Sequence, residues 1–190
     1  MYKRQVSDEG EYFNREMIRY YDENEVDFDR LRFYCAWDLA IGQRERNDYS
    51  VGIVVGVDEY DNLYVVDCIR GKYDGFELVE QILDLFETWR PHVVGIEKGH
   101  IEMALGPFLQ KRVRERGLNE AYFKDLKVGR RDKEARARAI QGRMQQGMVY
   151  FPKDPVWVGP LIAELLRFPN GVHDDPVSYT HLTLPTKNEV

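Results

Sequence analysis

Two apolar runs in this chain each stop on an acid. Arg32-Phe33-Tyr34-Cys35-Ala36-Trp37 ends at Asp38, and Pro91-His92-Val93-Val94-Gly95-Ile96 ends at Glu97. Short apolar runs rich in aromatic and β-branched residues read as buried strands. A carboxylate ending such a strand adds nothing to packing, so each run serves to deliver its acid to an edge of a sheet. A third acid, Asp175, stands in Val172-His173-Asp174-Asp175, after a Pro-Asn-Gly turn and where a helix is expected to begin. Acids gathered at one edge repel one another unless divalent cations supply the opposing charge. The chain therefore has to fold into a sheet that brings distant segments together at one end, and the acids there suit two-metal phosphodiester chemistry.

The order of the remaining patterns fills in that sheet. Strands are expected over 32–39, 49–57 and 63–70, with a charged loop from Gly42 to Asn47 and a turn at Asp58-Glu59-Tyr60-Asp61-Asn62, which makes an antiparallel meander. Phe76, Leu78, Val79, Ile82, Leu83, Leu85 and Phe86 recur at helical spacing until Pro91 stops the helix before a strand over 92–97. A helix over 101–116 ended by Gly117, a strand over 121–128, a helix over 133–146 ended by Gly147, a strand over 148–151 and a helix over 156–167 complete the reading. The expected fold class is α/β, a mixed sheet with an antiparallel meander followed by parallel strands and flanked by helices. Residues 1–31 are charged and aromatic with no clean period, and read as an arm or linker before a domain over 32–177.

At 190 residues the chain can bury a core without disulfides, and Cys35 and Cys68 lie in or beside apolar runs without metal-ligand spacing, as buried free thiols do. No apolar stretch approaches the roughly 18 residues of a membrane span, and the first residues lack the apolar core of a signal peptide. A cytosolic protein is expected. The net charge of -6 argues mildly against a nucleic-acid partner, but its distribution argues the other way. Between residues 124 and 143 stand Lys124, Lys127, Arg130, Arg131, Lys133, Arg136, Arg138 and Arg143 against Asp125, Asp132 and Glu134. Such a block is either a solvated helix face or a stripe that meets phosphates. Lys133 is the more specific member, because a lysine at a helix start opposes the helix dipole and a bound phosphate would compensate.

Taken in order, Asp38-Leu39-Ala40, Asn47-Asp48-Tyr49-Ser50, Gly95-Ile96-Glu97, the Asp132-to-Ala139 segment running into Gly147-Met148-Val149-Tyr150-Phe151, and His173-Asp174-Asp175 resemble the nuclease domain of the tailed-phage terminase large subunit, which has an RNase H-like fold. The resemblance implies that Asp38, Glu97 and Asp175 hold the metals, with Asp174 competing for the third place and Asp48 near the site. It implies two divalent cations, Mg²⁺ or Mn²⁺, double-stranded DNA as substrate, a portal protein and a small terminase subunit as partners, no membrane, and the host cell cytoplasm as the place of work. The task it implies is endonucleolytic cutting of concatemeric viral DNA during packaging.

Two features depart from that family. The chain has no GxxxxGK[ST] phosphate loop, so it does not carry the packaging ATPase motif, and its first 31 residues resemble the segment that would follow such a motor. After Asp175 the family continues into an amphipathic helix, whereas Ser178 to Val190 carries Thr and Pro without helical pattern and reads as a non-native tail.

Each candidate has a plainer alternative. Asp38 is a strand-end acid, Glu97 a salt-bridge partner of Lys98, Asp175 a helix cap and Asp48 a turn cap. His100 and His173 lack partners at zinc-ligand spacing, and carboxylates suit Mg²⁺ or Mn²⁺ better. On the expected mechanism Asp38 bridges the two cations, Glu97 serves the leaving oxygen, and Asp175 with Asp48 aims the attacking water. Lys127, Arg130, Arg131, Lys133 and Arg136 would contact phosphates without reading bases, so sequence specificity should be low. The alternatives are a Holliday-junction resolvase or transposase-like nuclease of the same fold, and an inactive RNase H-like docking module.

Overall fold

A computed structural model describes residues 12–39, 49–97, 105–126 and 130–169, with only the backbone for Glu97 and residues 130–134. Seven strands form one sheet in the order β1-β7-β4-β3-β2-β5-β6: β1 (Arg19–Tyr21), β2 (Arg32–Asp38), β3 (Ser50–Val57), β4 (Leu63–Gly71), β5 (Val94–Glu97), β6 (Phe123–Leu126) and β7 (Val149–Pro152). β3 is antiparallel to both neighbours, and every other adjacent pair is parallel. The expected meander followed by parallel strands is therefore the observed architecture. Helices α1 (Gly75–Trp89) and α2 (Gly106–Glu115) cover one face, and α3 (Arg130–Gln145) and α4 (Val158–Arg167) the other.

The two faces follow from strand alternation. Cys35, Trp37 and Leu39 of β2 and its end, with Val94 and Ile96 of β5, pack with the α1 residues Leu78, Val79, Ile82, Leu83 and Phe86. Tyr34 and Ala36 turn to the opposite cluster, where Val51, Ile53, Val55 and Val57 meet Ala137, Ile140 and Met144 of α3 and Val158, Leu161 and Leu165 of α4. β3 is buried along its whole length, as a central strand covered on both faces should be.

β4 breaks alternation once. Its register with β3 slips between Val54–Asp67 and Val55–Val65, leaving Val66 as the extra residue of a β-bulge. Leu63 and Val65 face the α3/α4 side before the bulge, and Cys68 packs on that same side after it. Asp67 accepts the Cys68 backbone N–H at 2.8 Å and the Trp89 indole N–H at 2.8 Å, which ties the bulge to the end of α1.

α1 starts on a capping box. Asp74 accepts from the backbone N–H groups of Phe76 and Glu77, and Glu77 returns a bond to the Asp74 N–H. Gly117 and Gly147, at φ 69° and 72°, follow the ends of α2 and α3, where left-handed backbone favours glycine. The ladder reaches slightly beyond β5, because His92 N donates to Phe33 O and Cys35 N to Val93 O, so the expected start at 92 describes its pairing correctly. α3 begins by Arg130, earlier than the expected 133.

Residues 12–31 show structure that their sequence pattern does not announce. One short 3-10 turn leads into β1, which pairs in parallel with β7 at one edge of the sheet, and two more carry the chain on to β2. Phe13 and Tyr21 are buried, and the Tyr21 hydroxyl donates to Val65 O at 3.1 Å.

Candidate active site at the carboxyl edge of the sheet

Because all strands but β3 run the same way, their carboxyl ends share one edge. β2 and β5 are neighbours there, in the register Cys35–Val94, Ala36–Gly95 and Trp37–Ile96. Asp38 and Glu97 come one step later on each strand, at adjacent positions about 4.8 Å apart in the pairing direction. Alternation places both on one face. Trp37 and Ile96 point toward α1, so the next positions belong to the α3/α4 side. Val51, which pairs with Asp38 across β3, belongs to that side as well.

Trp37 fixes the end of β2. It is fully buried, and its indole lies over Gly52, the residue opposite it on β3. A Cβ on Gly52 would come within 2.6 Å of the ring. The absence of a side chain at Gly52 thus gives the indole its place, and the indole holds the residue before Asp38. Gly95 makes similar room in β5 for Leu126 of β6, which a Cβ would approach to 2.8 Å.

Other groups join Asp38 and Glu97 at this edge. α3 follows β6 after residues 127–129, so its first turn, with Arg130, Arg131 and Lys133, starts within about 15 Å of the end of β6. On the other side of Asp38, Arg70 of β4 pairs with Val51, and Val51 pairs with Asp38. The three therefore form one row across the sheet. Arg70 forms an ion pair with Glu164 of α4. Its guanidinium lies 4.5 Å from the centre of the Tyr49 ring, and the Lys72 ammonium lies 5.0 Å from the same ring. Below them burial pushes the Cys68 thiol up to about 12; Asp67 and Glu164 add to that and Arg70 opposes it. Cys35 is also free and buried, and burial raises its thiol strongly. Both cysteines are inert packing groups, as their sequence context predicts.

Of the candidates read from sequence, Asp38 and Glu97 are brought together as strand ends. Asp48, Lys127, Asp174 and Asp175 lie outside the described residues, as do Lys98, His100, His173 and the tail from Ser178. Arg136 lies half-buried on α3, one residue before the buried Ala137. Among the described residues no three His, Cys, Asp or Glu side chains gather as a metal-binding group. Two of the three expected ligands are not among those side chains. The sequence reading passed over Tyr49, Arg70 and Lys72. A signal was available for Arg70, which ends an apolar run on a charge just as Asp38 and Glu97 do.

The terminase RNase H-like domain family matches residues 35–184 of the chain, a span that ends inside the tail read as non-native. Among solved structures, the large terminase nuclease of thermophilic phage G20c is similar at a TM-score of 0.62 and 17% identity, covering 88% of this chain and 92% of that one. The large terminase nuclease domain of Thermus phage P74-26 follows at 0.59 and 17%, covering 88% and 90%. The large terminase of bacteriophage HK97 matches at 0.56 and 12%, covering 82% of this chain and 36% of that one. The G20c nuclease has also been crystallised with bound magnesium and with bound zinc. No curated protein matches in sequence.

Proposed function

Since the chain belongs to the terminase RNase H-like domain family, we propose that it is a metal-dependent endonuclease that cuts concatemeric viral DNA during genome packaging. The observation that carries this reading is the placement of Asp38 and Glu97, which end adjacent parallel strands one step past the Trp37–Ile96 pair. Asp and Glu are hard oxygen donors by residue type, and at neighbouring strand ends they suit Mg²⁺ or Mn²⁺ better than a soft metal. Asp38 and Glu97 would hold the cations with Asp175, for whose place Asp174 competes, and Asp48 would stand near them. When bound, such cations polarise the scissile phosphate and generate hydroxide from water.

The chain's own contribution is position. Asp38 is fixed by the β2–β3 and β2–β5 ladders and by Trp37 beneath it, so its direction is set before substrate arrives. The basic first turn of α3, with Lys127 before it, would neutralise DNA phosphates beside the acids. Contacts to phosphates carry no base code, which fits low sequence specificity. DNA is the substrate on this reading, the portal protein and small terminase subunit are its partners, and the host cytoplasm is where it acts. Among the described residues no helix is long and apolar enough to cross a membrane.

Supercoiled plasmid with Mn²⁺ or Mg²⁺ tests the proposal. The chain should nick and linearise it, and EDTA should leave it intact. Asp38→Asn, which keeps the shape of the side chain, should lose at least about a hundredfold in rate while circular dichroism and melting stay unchanged. Cutting that survives Asp38→Asn would remove Asp38 from the site, and preference for four-way junctions over plain duplex would favour the resolvase reading.

A further inference from the structure

The cations expected to meet DNA lie on the β6 side of Asp38 and Glu97, at the start of α3. The structure holds a second cationic group on the β4 side. Tyr49 precedes β3, and Arg70 and Lys72 lie at and just past the end of β4, where Ser50 pairs with Gly71. Both cations sit against the Tyr49 ring, at 4.5 Å and 5.0 Å from its centre. Tyr49 is 39% exposed. Each cation gains about 0.5–1 kcal/mol from such a ring at an exposed site. Glu164 neutralises Arg70 and anchors it to α4, while Lys72 is exposed and makes no ion pair among the described residues.

The bulge decides which way this group faces. Without the extra residue at Val66, Arg70 would fall on the α1 face, away from Asp38. With it, Arg70 shares the Val51–Asp38 row and face, two strands and hence about 10 Å from Asp38. At a rise of about 3.4 Å per nucleotide along one strand, that is about three nucleotides from the bond at the acids.

We propose that Tyr49, Arg70 and Lys72 form a phosphate-binding site for the DNA backbone on the β4 side of the acids, in which Lys72, with its ammonium against the Tyr49 ring, neutralises a phosphate a few nucleotides from the cut while Arg70, tied to Glu164, packs on the same ring. This rests on the nuclease reading above. The acids then lie between two cationic supports, α3 on one side and this group on the other, and a duplex held at both cannot slide away from the acids.

The test is binding of the full chain to a short labelled duplex in EDTA, followed by fluorescence anisotropy between about 50 and 200 mM salt. Lys72→Ala should flatten the dependence of log affinity on log salt by about 0.9, so that the variant loses about 3.5-fold less affinity than the unaltered chain over that range. Lys72→Arg should retain the original slope. Tyr49→Ala should weaken binding and leave the slope within error, since both cations remain. Lys111→Ala on α2, on the opposite face of the sheet, should change neither. An unchanged slope in Lys72→Ala, or an equal loss in Lys111→Ala, overturns the proposal. Cutting in Mn²⁺ distinguishes the two readings: a chain that cuts but shows no effect at Lys72 lacks this site alone, and a chain that binds through Lys72 but never cuts overturns the nuclease reading alone.

Discussion

Gly52→Ala is the smallest change that should damage the site from outside it. The added methyl would stand 2.6 Å from two atoms of the Trp37 indole and 2.8 Å from a third, against an ordinary carbon–carbon contact of about 3.5–4.0 Å. Neither partner has room to yield. Trp37 is fully buried, and Gly52 is in the central strand, paired to β2 on one side and β4 on the other. Overpacking of a well-filled core costs about 1–3 kcal/mol. In a domain of this size each kcal/mol lowers the melting temperature by about 2–4 °C, so a drop of about 2–12 °C is expected in a thermal melt. Displacement of Trp37 also moves the residue before Asp38, and cutting should fall further than the loss of folded protein explains. Gly142→Ala is the matched control. It makes the same chemical change inside α3, where a Cβ meets nothing within 4 Å, and should stabilise by about 0.5–1 kcal/mol. A melting temperature for Gly52→Ala equal to or above that of the unaltered chain would refute the packing argument.

Glu80 of α1 accepts from Arg112 at 2.6 and 3.0 Å and from Arg116, and these bonds, Arg112 first, hold its carboxyl at about 2 against an ordinary 4.5. A lowered carboxyl stabilises fully above its unfolded value and loses that contribution as pH falls through the folded one. Melting temperature should therefore decline between about pH 4.5 and 2, and Glu80→Gln should flatten that decline by an amount on the order of 1–2 kcal/mol after solvent screening; parallel pH profiles for the two proteins would show that the α1–α2 ion pairs carry no stability. Replacing Lys127, Arg130, Arg131 or Lys133 singly by Ala should weaken DNA binding alike across sequences and lower the salt slope by about one unit each, and four unchanged slopes would return that block to a solvated helix face.

How much of this could be read from the chain depends on the range of the interaction that decides each part. The buried strands were legible because a fully covered strand must be apolar along its length, as β3 is, and because an acid after such a run has few reasons to be there. Asp38 and Glu97 are visible for that reason, whereas their adjacency comes from the β2–β5 pairing that the fold supplies. β1 was not legible. Arg19 and Tyr20 are exposed and only Tyr21 is buried, and the strand exists because β7, some 130 residues later, offers it an edge. Three residues stabilised by so distant a partner leave no local period to detect.

Arg70 shows a different kind of limit. Alternation along Leu63-Tyr64-Val65-Val66-Asp67-Cys68-Ile69-Arg70 puts Arg70 on the same face as Tyr64 and Val66, toward the apolar cluster under α1. One extra residue reverses every position after it. The bulge is held by Asp67, whose carboxylate bonds the next backbone N–H and reaches across to Trp89 at the far end of α1. The residue that turns Arg70 toward the acids is thus secured from the opposite face of the sheet. The residues around Arg70 do not report this on their own, because the Asp67 carboxylate is anchored by Trp89, a side chain 22 residues further along the chain from Asp67. A pattern rule that assumes unbroken alternation assigns the wrong face to every residue beyond such a bulge, and here those residues include Arg70, which stands in the same row as Asp38.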